Sequence, residues 1–181
     1  MRAFLSLDVP EDLRNPLCAM IGGLRAGRAV PRETLHLTLS FLGDPSEEQL
    51  EELHGTLETL HAPAPELRVG GLDWFGPGTA RILAAIVEPV PELVSLQAEV
   101  ERRARKLGLT PERRPFRPHV TLVRFRRQIP PEESAALRRF LANPPLVRVP
   151  VQRAPEVSLQ ASTLSKDGAR YDTLAAYTLA E

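Results

Sequence analysis

Cysteine occurs once in this chain, at Cys18, lysine twice, and net charge is absent altogether. A lone cysteine cannot build a disulfide framework, which suits a reducing compartment and makes Cys18 a small apolar residue of a helix-like stretch. No apolar run approaches the roughly 20 residues that span a bilayer, and no charged segment followed by an apolar core opens the chain. The expectation is a soluble, cytoplasmic protein with no membrane partner. Zero net charge gives no global field toward nucleic acid or lipid. The dearth of lysine against 21 arginines fits a thermophile and a GC-rich genome equally well.

What is present is enough for a core. With 43% hydrophobic residues in 181, the chain can fold as one domain or as two half-domains sharing an interface. "RAFLSLDV" (2–9), "LHLTLSFL" (35–42), "ELRVGGLDWF" (66–75), "ARILAAIVE" (80–88), "PHVTLVRF" (118–125), "LVRVPVQR" (146–153), "EVSLQAST" (156–163) and "YDTLAAYTLA" (171–180) read as strands. Helices are expected over 10–24, with an irregularity at Pro16, over 45–60 with Ser46 as N-cap, over 90–108 closed by Gly108, and over 130–144. "GPGT" (76–79) marks a turn between two strands.

The order repeats. "LSLDVPEDL" (5–13) and "AAIVEPVPEL" (84–93) share a pattern of apolar strand, acid, proline and helix start, and each leads through a helix to His-x-Thr-Leu. The expected fold is therefore α+β, a single domain over 1–181 built from two pseudo-twofold β-α-β-α-β-β units (about 1–80 and 81–181). Two mainly antiparallel sheets would face a central cleft, with the helices outside.

His36 and His119 lie 83 residues apart (119 − 36), each two residues before a threonine. In a strand, residues i and i+2 share a face, so His36 and Thr38 point one way and Leu35, Leu37 and Leu39 the other. The same parity holds for His119 and Thr121 against Val120 and Leu122. Two halves facing each other would bring four polar groups to one cleft. Two imidazoles there suit the opening of a cyclic phosphodiester, which needs a base for water and an acid for the departing oxygen near neutral pH. The threonine hydroxyls can hold the phosphate oxygens.

Zinc is the competing chemistry, but neither strand offers another His, Cys or carboxylate two residues from its histidine, so no metal and no cofactor are expected. His54 and His61 sit in or just after a polar helix and read as surface residues. "GGLDWFGPG" lacks a nucleotide-binding glycine order, and no phosphate-loop motif is present. Between Arg102 and Arg127 stand ten basic residues and one acid, Glu112. That run is either a solvated basic face or an anion track beside the second motif.

The residues "RAFLSLDVPEDL", "LHLTLSFLGD" and "RPFRPHVTLVR", with "ARILAAIVE" and the closing "YDTLAAYTLA", resemble the bacterial and archaeal RNA 2',3'-cyclic phosphodiesterases, also called 2'-5' RNA ligases, of the two-histidine phosphoesterase superfamily. The resemblance runs nearly end to end. It implies a bilobed α+β fold and hydrolysis of a 2',3'-cyclic phosphate RNA end to a 2'-phosphate, with tRNA-derived ends among the candidate substrates. It also implies a weak ATP-independent 2'-5' joining reaction. Position by position, it implies His36 and His119 as the acid/base pair and Thr38 and Thr121 as phosphate ligands, with Arg124 as a further phosphate contact. Strand parity sets Arg124 opposite His119, so a bulge or the strand end must bring it round; Phe41 holds the equivalent place in the first motif. Family members often carry a Trp before the first motif, where this chain has "RAVPRET". Two other readings remain: a cyclic phosphodiesterase of a small nucleotide such as ADP-ribose 1'',2''-cyclic phosphate, and an RNA-end-binding protein. A monomer is expected.

Overall fold

The structure, a computed structural model, describes residues 1–77, 81–111, 115–165 and 168–180. The strands are β1 (Arg2–Asp8), β2 (Arg28–Ala29), β3 (His36–Gly43), β4 (Glu66–Leu67), β5 (Val69–Phe75), β6 (Ile82–Val87), β7 (His119–Arg124), β8 (Gln152–Arg153), β9 (Glu156–Ser165) and β10 (Gly168–Thr178). The helices are α1 (Glu11–Ala19), α2 (Glu47–Leu57), α3 (Pro91–Lys106) and α4 (Pro131–Ala142), with a 3-10 turn at Arg32–Thr34. The fold is α+β, as the sequence predicts.

Helix starts follow local chemistry. Ser46 and Gln49 form a reciprocal capping box at α2, and Glu47 and Glu48 face the positive end of its dipole. Pro91 and Pro131 occupy first turns, where a missing N–H costs nothing. Pro16 sits inside α1 without ending it; α1 closes at Ala19, short of the expected residue 24.

Every named strand pairing is antiparallel. The main sheet runs β10-β9-β1-β3-β7-β6-β5, with β2 beside β7, and β4 pairs with β8 separately. The two antiparallel halves are thus hydrogen-bonded to one another, through the single pair Leu37–Val120 between β3 and β7. Each half also borrows from the far part of the chain: β9 and β10 complete the half containing β1 and β3, and β5 pairs with β6.

The registers of the two halves correspond. Asp8, Leu7 and Ser6 oppose His36, Leu37 and Thr38, while Ile86, Ala85 and Ala84 oppose His119, Val120 and Thr121. One residue further, both ladders slip. Leu39 is left without a partner between Thr38–Ser6 and Ser40–Leu5, and Leu122 between Thr121–Ala84 and Val123–Leu83. These are β-bulges at equivalent places, and each reverses the facing of the strand residues beyond it.

One sheet face is apolar and covered by helices: Leu5, Leu7, Leu37, Leu39 and Val120 share a buried cluster with Leu13, Leu53, Leu57, Leu93, Leu96 and Val100. His36, Thr38, His119 and Thr121 are half-buried, alternating with those core residues. Among the described residues, no helix is long and apolar enough to cross a membrane.

Two expectations need correction. The stretch 146–153 forms ladder only at Gln152–Arg153, because Pro144, Pro145 and Pro150 remove backbone donors; Leu146 is fully exposed. The expected strand 66–75 breaks at Arg68 into β4 and β5, which pair with different partners. The turn expected at 76–79 lies partly outside the described residues.

Gly27, just before β2, has φ +69°, and a Cβ there would stand 2.6 Å from Val123 Cγ1. Gly27→Ala should lower stability by about 1–3 kcal/mol, from backbone strain and overpacking against β7. Denaturant unfolding of the variant reads this, and an unchanged midpoint would contradict the packing described.

Candidate active site

Both histidines are held alike. His36 Nδ1 lies 2.8 Å from the Thr34 carbonyl oxygen, and His119 Nδ1 lies 2.6 Å from that of Arg117. A carbonyl can only accept, so in each ring Nδ1–H donates and Nε2 is the nitrogen left available for chemistry. Each acceptor is the residue two before its histidine, the chain bending back at the strand's start. On the first side, that bend is the 3-10 turn, tied to α1 by Arg32, which donates to Asn15 Oδ1 at 2.7 Å and also to Glu11.

The surroundings then diverge. Tyr171 meets the His36 ring edge-on at 5.2 Å, and Phe4 lies tilted against it at 5.1 Å. His119 instead stacks on Phe75 at 4.7 Å, and the Arg117 guanidinium sits over the same Phe75 ring at 4.4 Å while pairing with Asp73. Beside His36 opens a pocket of about 120 Å³, lined by Asp8, Arg14, Gln160, Tyr171 and Thr173 among others.

The pair Leu37–Val120 lies between the motifs, its side chains in the core. Extending that register by one residue sets His36 across from Thr121 and Thr38 across from His119, all four on the opposite face from the leucine and valine. The structure therefore brings the four predicted residues to one place.

Arg124 joins them. The bulge at Leu122 turns it from the far face, and its guanidinium donates to the Tyr171 hydroxyl at 3.1 Å. Phe41, its counterpart after the bulge at Leu39, is 53% exposed. Strand parity alone sets Arg124 on the far side, and the bulge is one of the two devices expected to bring it round; two consecutive buried residues, Leu122 and Val123, mark the reversal.

Burial chiefly pushes the His36 pKa below the usual histidine range, with the Thr34 carbonyl opposing; Arg124 and His119 lower it further and Asp8 raises it. His119 is lowered by burial first, again against its backbone carbonyl, and then by Arg117 and Arg124. Both rings are neutral in the free protein near neutral pH, and a phosphate anion between them would favour their protonation.

The basic run divides between a helix face and the candidate site. Arg102 and Arg103 bond Glu99, Arg103 also reaches the Thr59 hydroxyl of the neighbouring loop, and Arg105 pairs with Glu101; this is a paired helix face. Arg117 and Arg124 are at the site. Arg113 and Arg114 lie outside the described residues. His54, on α2, bonds the Tyr177 hydroxyl and is remote from the motifs, and His61 is exposed, as expected. Cys18 is half-buried against the core, and burial raises its thiol pKa. Among the described residues, no cluster of three metal-ligating side chains occurs. Phe4, Asp8, Phe75, Gln160 and Tyr171 were not anticipated. Phe4 and Asp8 could have been, since they share strand parity and register with the first motif; Tyr171 could not, because only the sheet order brings β10 near β3.

Comparison with known proteins agrees with this geometry. A family model described as "2'-5' RNA ligase superfamily" matches residues 10–158. A relative from Methanothermobacter thermautotrophicus named RNA 2',3'-cyclic phosphodiesterase is 31% identical, with 99% of each chain covered. One of the same name from Thermus thermophilus is 34% identical over 72% of this chain and 71% of its own. The crystal structure of Escherichia coli LigT in apo form superposes with a TM-score of 0.78 at 25% identity, covering 99% of this chain and 98% of that one.

Titration of ring-¹⁵N-labelled protein should show both His36 and His119 as Nδ1–H tautomers with pKa values below the ordinary histidine range. A group lowered in the folded state contributes stability above its unfolded pKa and loses it as pH falls through the folded value, so acid weakens the free protein through these two rings. An Nε2–H tautomer at either position, or a pKa above the ordinary range, would contradict the carbonyl clamps.

Proposed function

The chain belongs to the 2'-5' RNA ligase superfamily, and we propose that it hydrolyses the 2',3'-cyclic phosphate end of RNA to a 2'-phosphate. The matched clamps on His36 and His119 carry this reading. Two imidazoles, each with Nε2 available, flank the Leu37–Val120 pair on the open face of the sheet.

In the reaction, Nε2 of one histidine takes a proton from water as its oxygen bonds phosphorus. The bond from phosphorus to the 3'-oxygen breaks, and Nε2–H of the other histidine protonates that oxygen. Thr38 and Thr121 donate to the non-bridging oxygens, and Arg124 offsets the charge that accumulates there. His36 takes the acid role, because Asp8, its ladder partner, raises its pKa against the stronger lowering by Arg124, whereas Arg117 and Arg124 both lower His119, the base. A 5'-hydroxyl in place of water gives a 2'-5' junction through the same bonds, with no need for ATP. Neither a metal nor a cofactor has a step here. The matched registers of the two halves support one domain over 1–181 made of two repeats, working as a cytoplasmic monomer on RNA ends such as those of cleaved tRNA.

His36→Ala and His119→Ala should each reduce kcat on a cyclic-ended oligonucleotide by at least about 100-fold while folding normally. Near wild-type turnover in either variant would end the two-histidine mechanism. Exhaustive dialysis against EDTA should leave the rate unchanged; a loss restored by zinc or manganese would assign the site to metal chemistry. The product should resist a phosphatase specific for 3'-phosphates, and its sensitivity would reverse the orientation of the substrate.

A further inference from the structure

β2 is two residues long, yet it puts a charge where a paired sheet ordinarily avoids one. Its register on β7 sets Arg28 directly opposite Arg124. Cross-strand partners share a face, with Cβ atoms about 5 Å apart, and like charges so placed repel. Arg124 is on the face of the histidines, since it donates to Tyr171 and lowers the pKa of both rings. Arg28 is therefore on that face too, one strand spacing beyond Arg124. Arg126 follows on the same side of the chain, exposed after the buried Phe125.

Among the described residues, these charges lack carboxylate partners, though Arg124 donates to the Tyr171 hydroxyl. Among the described residues, neither Arg28, Arg124 nor Arg126 forms a salt bridge. Glu133, the carboxylate that reaches this segment, accepts instead from the Gly27 N–H at 2.9 Å. The arginines of α3, by contrast, are matched to Glu99 and Glu101. Gly27 fixes the placement: its φ is positive and a Cβ on it would stand 2.6 Å from Val123 Cγ1 and 2.8 Å from the Phe125 ring, so glycine lets β2 lie this close to β7 in the register that pairs Arg28 with Arg124. A repelling pair held in register by a glycine packed on the core calls for an anion between or beside the two guanidinium groups.

We propose that Arg28, supported by Arg126, binds a second phosphate of the substrate, the phosphodiester next to the cyclic end of an RNA chain. The inference rests on the proposed reading of the site, and it makes the enzyme one that recognises a polymer. A cyclic mononucleotide carries one phosphate, which Thr38, Thr121 and Arg124 would hold, and it leaves Arg28 unused. ADP-ribose 1'',2''-cyclic phosphate carries a diphosphate as well, so it is the other source of the same chemistry.

The test compares three substrates, adenosine 2',3'-cyclic phosphate, a trinucleotide with a 2',3'-cyclic end, and ADP-ribose 1'',2''-cyclic phosphate, on wild type, Arg28→Gln and Arg28→Lys. Wild type should favour the trinucleotide over the mononucleotide in kcat/KM by at least about tenfold. Arg28→Gln should lose about tenfold on the trinucleotide, through KM, and less than about twofold on the mononucleotide, with Arg28→Lys recovering most of the loss, as one lost phosphate contact requires. The slope of log kcat/KM against log salt for the trinucleotide should fall by about 0.7. Equal losses on trinucleotide and mononucleotide, or no loss on either, overturn the subsite while leaving the reading of the site intact. An Arg28-dependent preference for the ADP-ribose compound equal to that for the trinucleotide overturns the assignment to RNA. No turnover of any of the three overturns the reading of the site itself.

Discussion

Among the described residues, Leu37 and Val120 make the one ladder pair that joins the two halves of the main sheet, and the position of the site depends on it. Both side chains are in the core, Leu37 wholly buried and Val120 1% exposed, so the neighbouring residues on either side must face away from the helices. Those neighbours are His36, Thr38, His119 and Thr121. The hydrophobic effect thus aims the polar groups indirectly. Burying leucine and valine on one face of a pleated strand leaves imidazole and hydroxyl no other direction. With a single pair at the junction, the strands are not held together by a ladder beyond it.

The two bulges extend that logic. Without them, Arg124 would continue the alternation onto the core face, where an unpaired guanidinium is costly. Inserting Leu122 as an extra buried residue turns the chain and delivers the charge to the open side; Leu39 does the same for Phe41. One half of the sheet thus supplies a cation after its bulge and the other an aromatic ring. In the proposed mechanism, that asymmetry lets two similar half-sites treat two sides of a phosphate differently. Arg124 lowers the pKa of both imidazoles; Asp8 opposes it at His36 whereas Arg117 adds to it at His119, although both rings carry the same carbonyl clamp.

Much of this was legible in the sequence because it rests on period and parity. The alternation in "LHLTL" and "PHVTL" puts each histidine and threonine on one face whatever the tertiary context, and the repeated order of elements implies that the motifs meet. The bulges were less legible, since an extra residue changes facing without changing composition. Their trace is the adjacent buried pairs Leu39–Ser40 and Leu122–Val123. Tyr171 was not legible at all. It reaches His36 because β9 and β10 return to pair beside β1, a sheet order that no local pattern encodes. The stretch 146–151 misled in the other direction. Valines at alternate positions read as a strand, but the prolines before it and within it deny it a ladder.

The account stands on a division of labour between two imidazoles, and the pH dependence of kcat/KM tests that most directly. Measured on a cyclic-ended oligonucleotide, wild type should give a bell, rising as the base deprotonates and falling as the acid deprotonates. The residual activity of His119→Ala should lack the rising limb, and that of His36→Ala the falling limb. A full bell surviving in either variant would show that some other group titrates in its place and would contradict the assignment of acid and base to this pair.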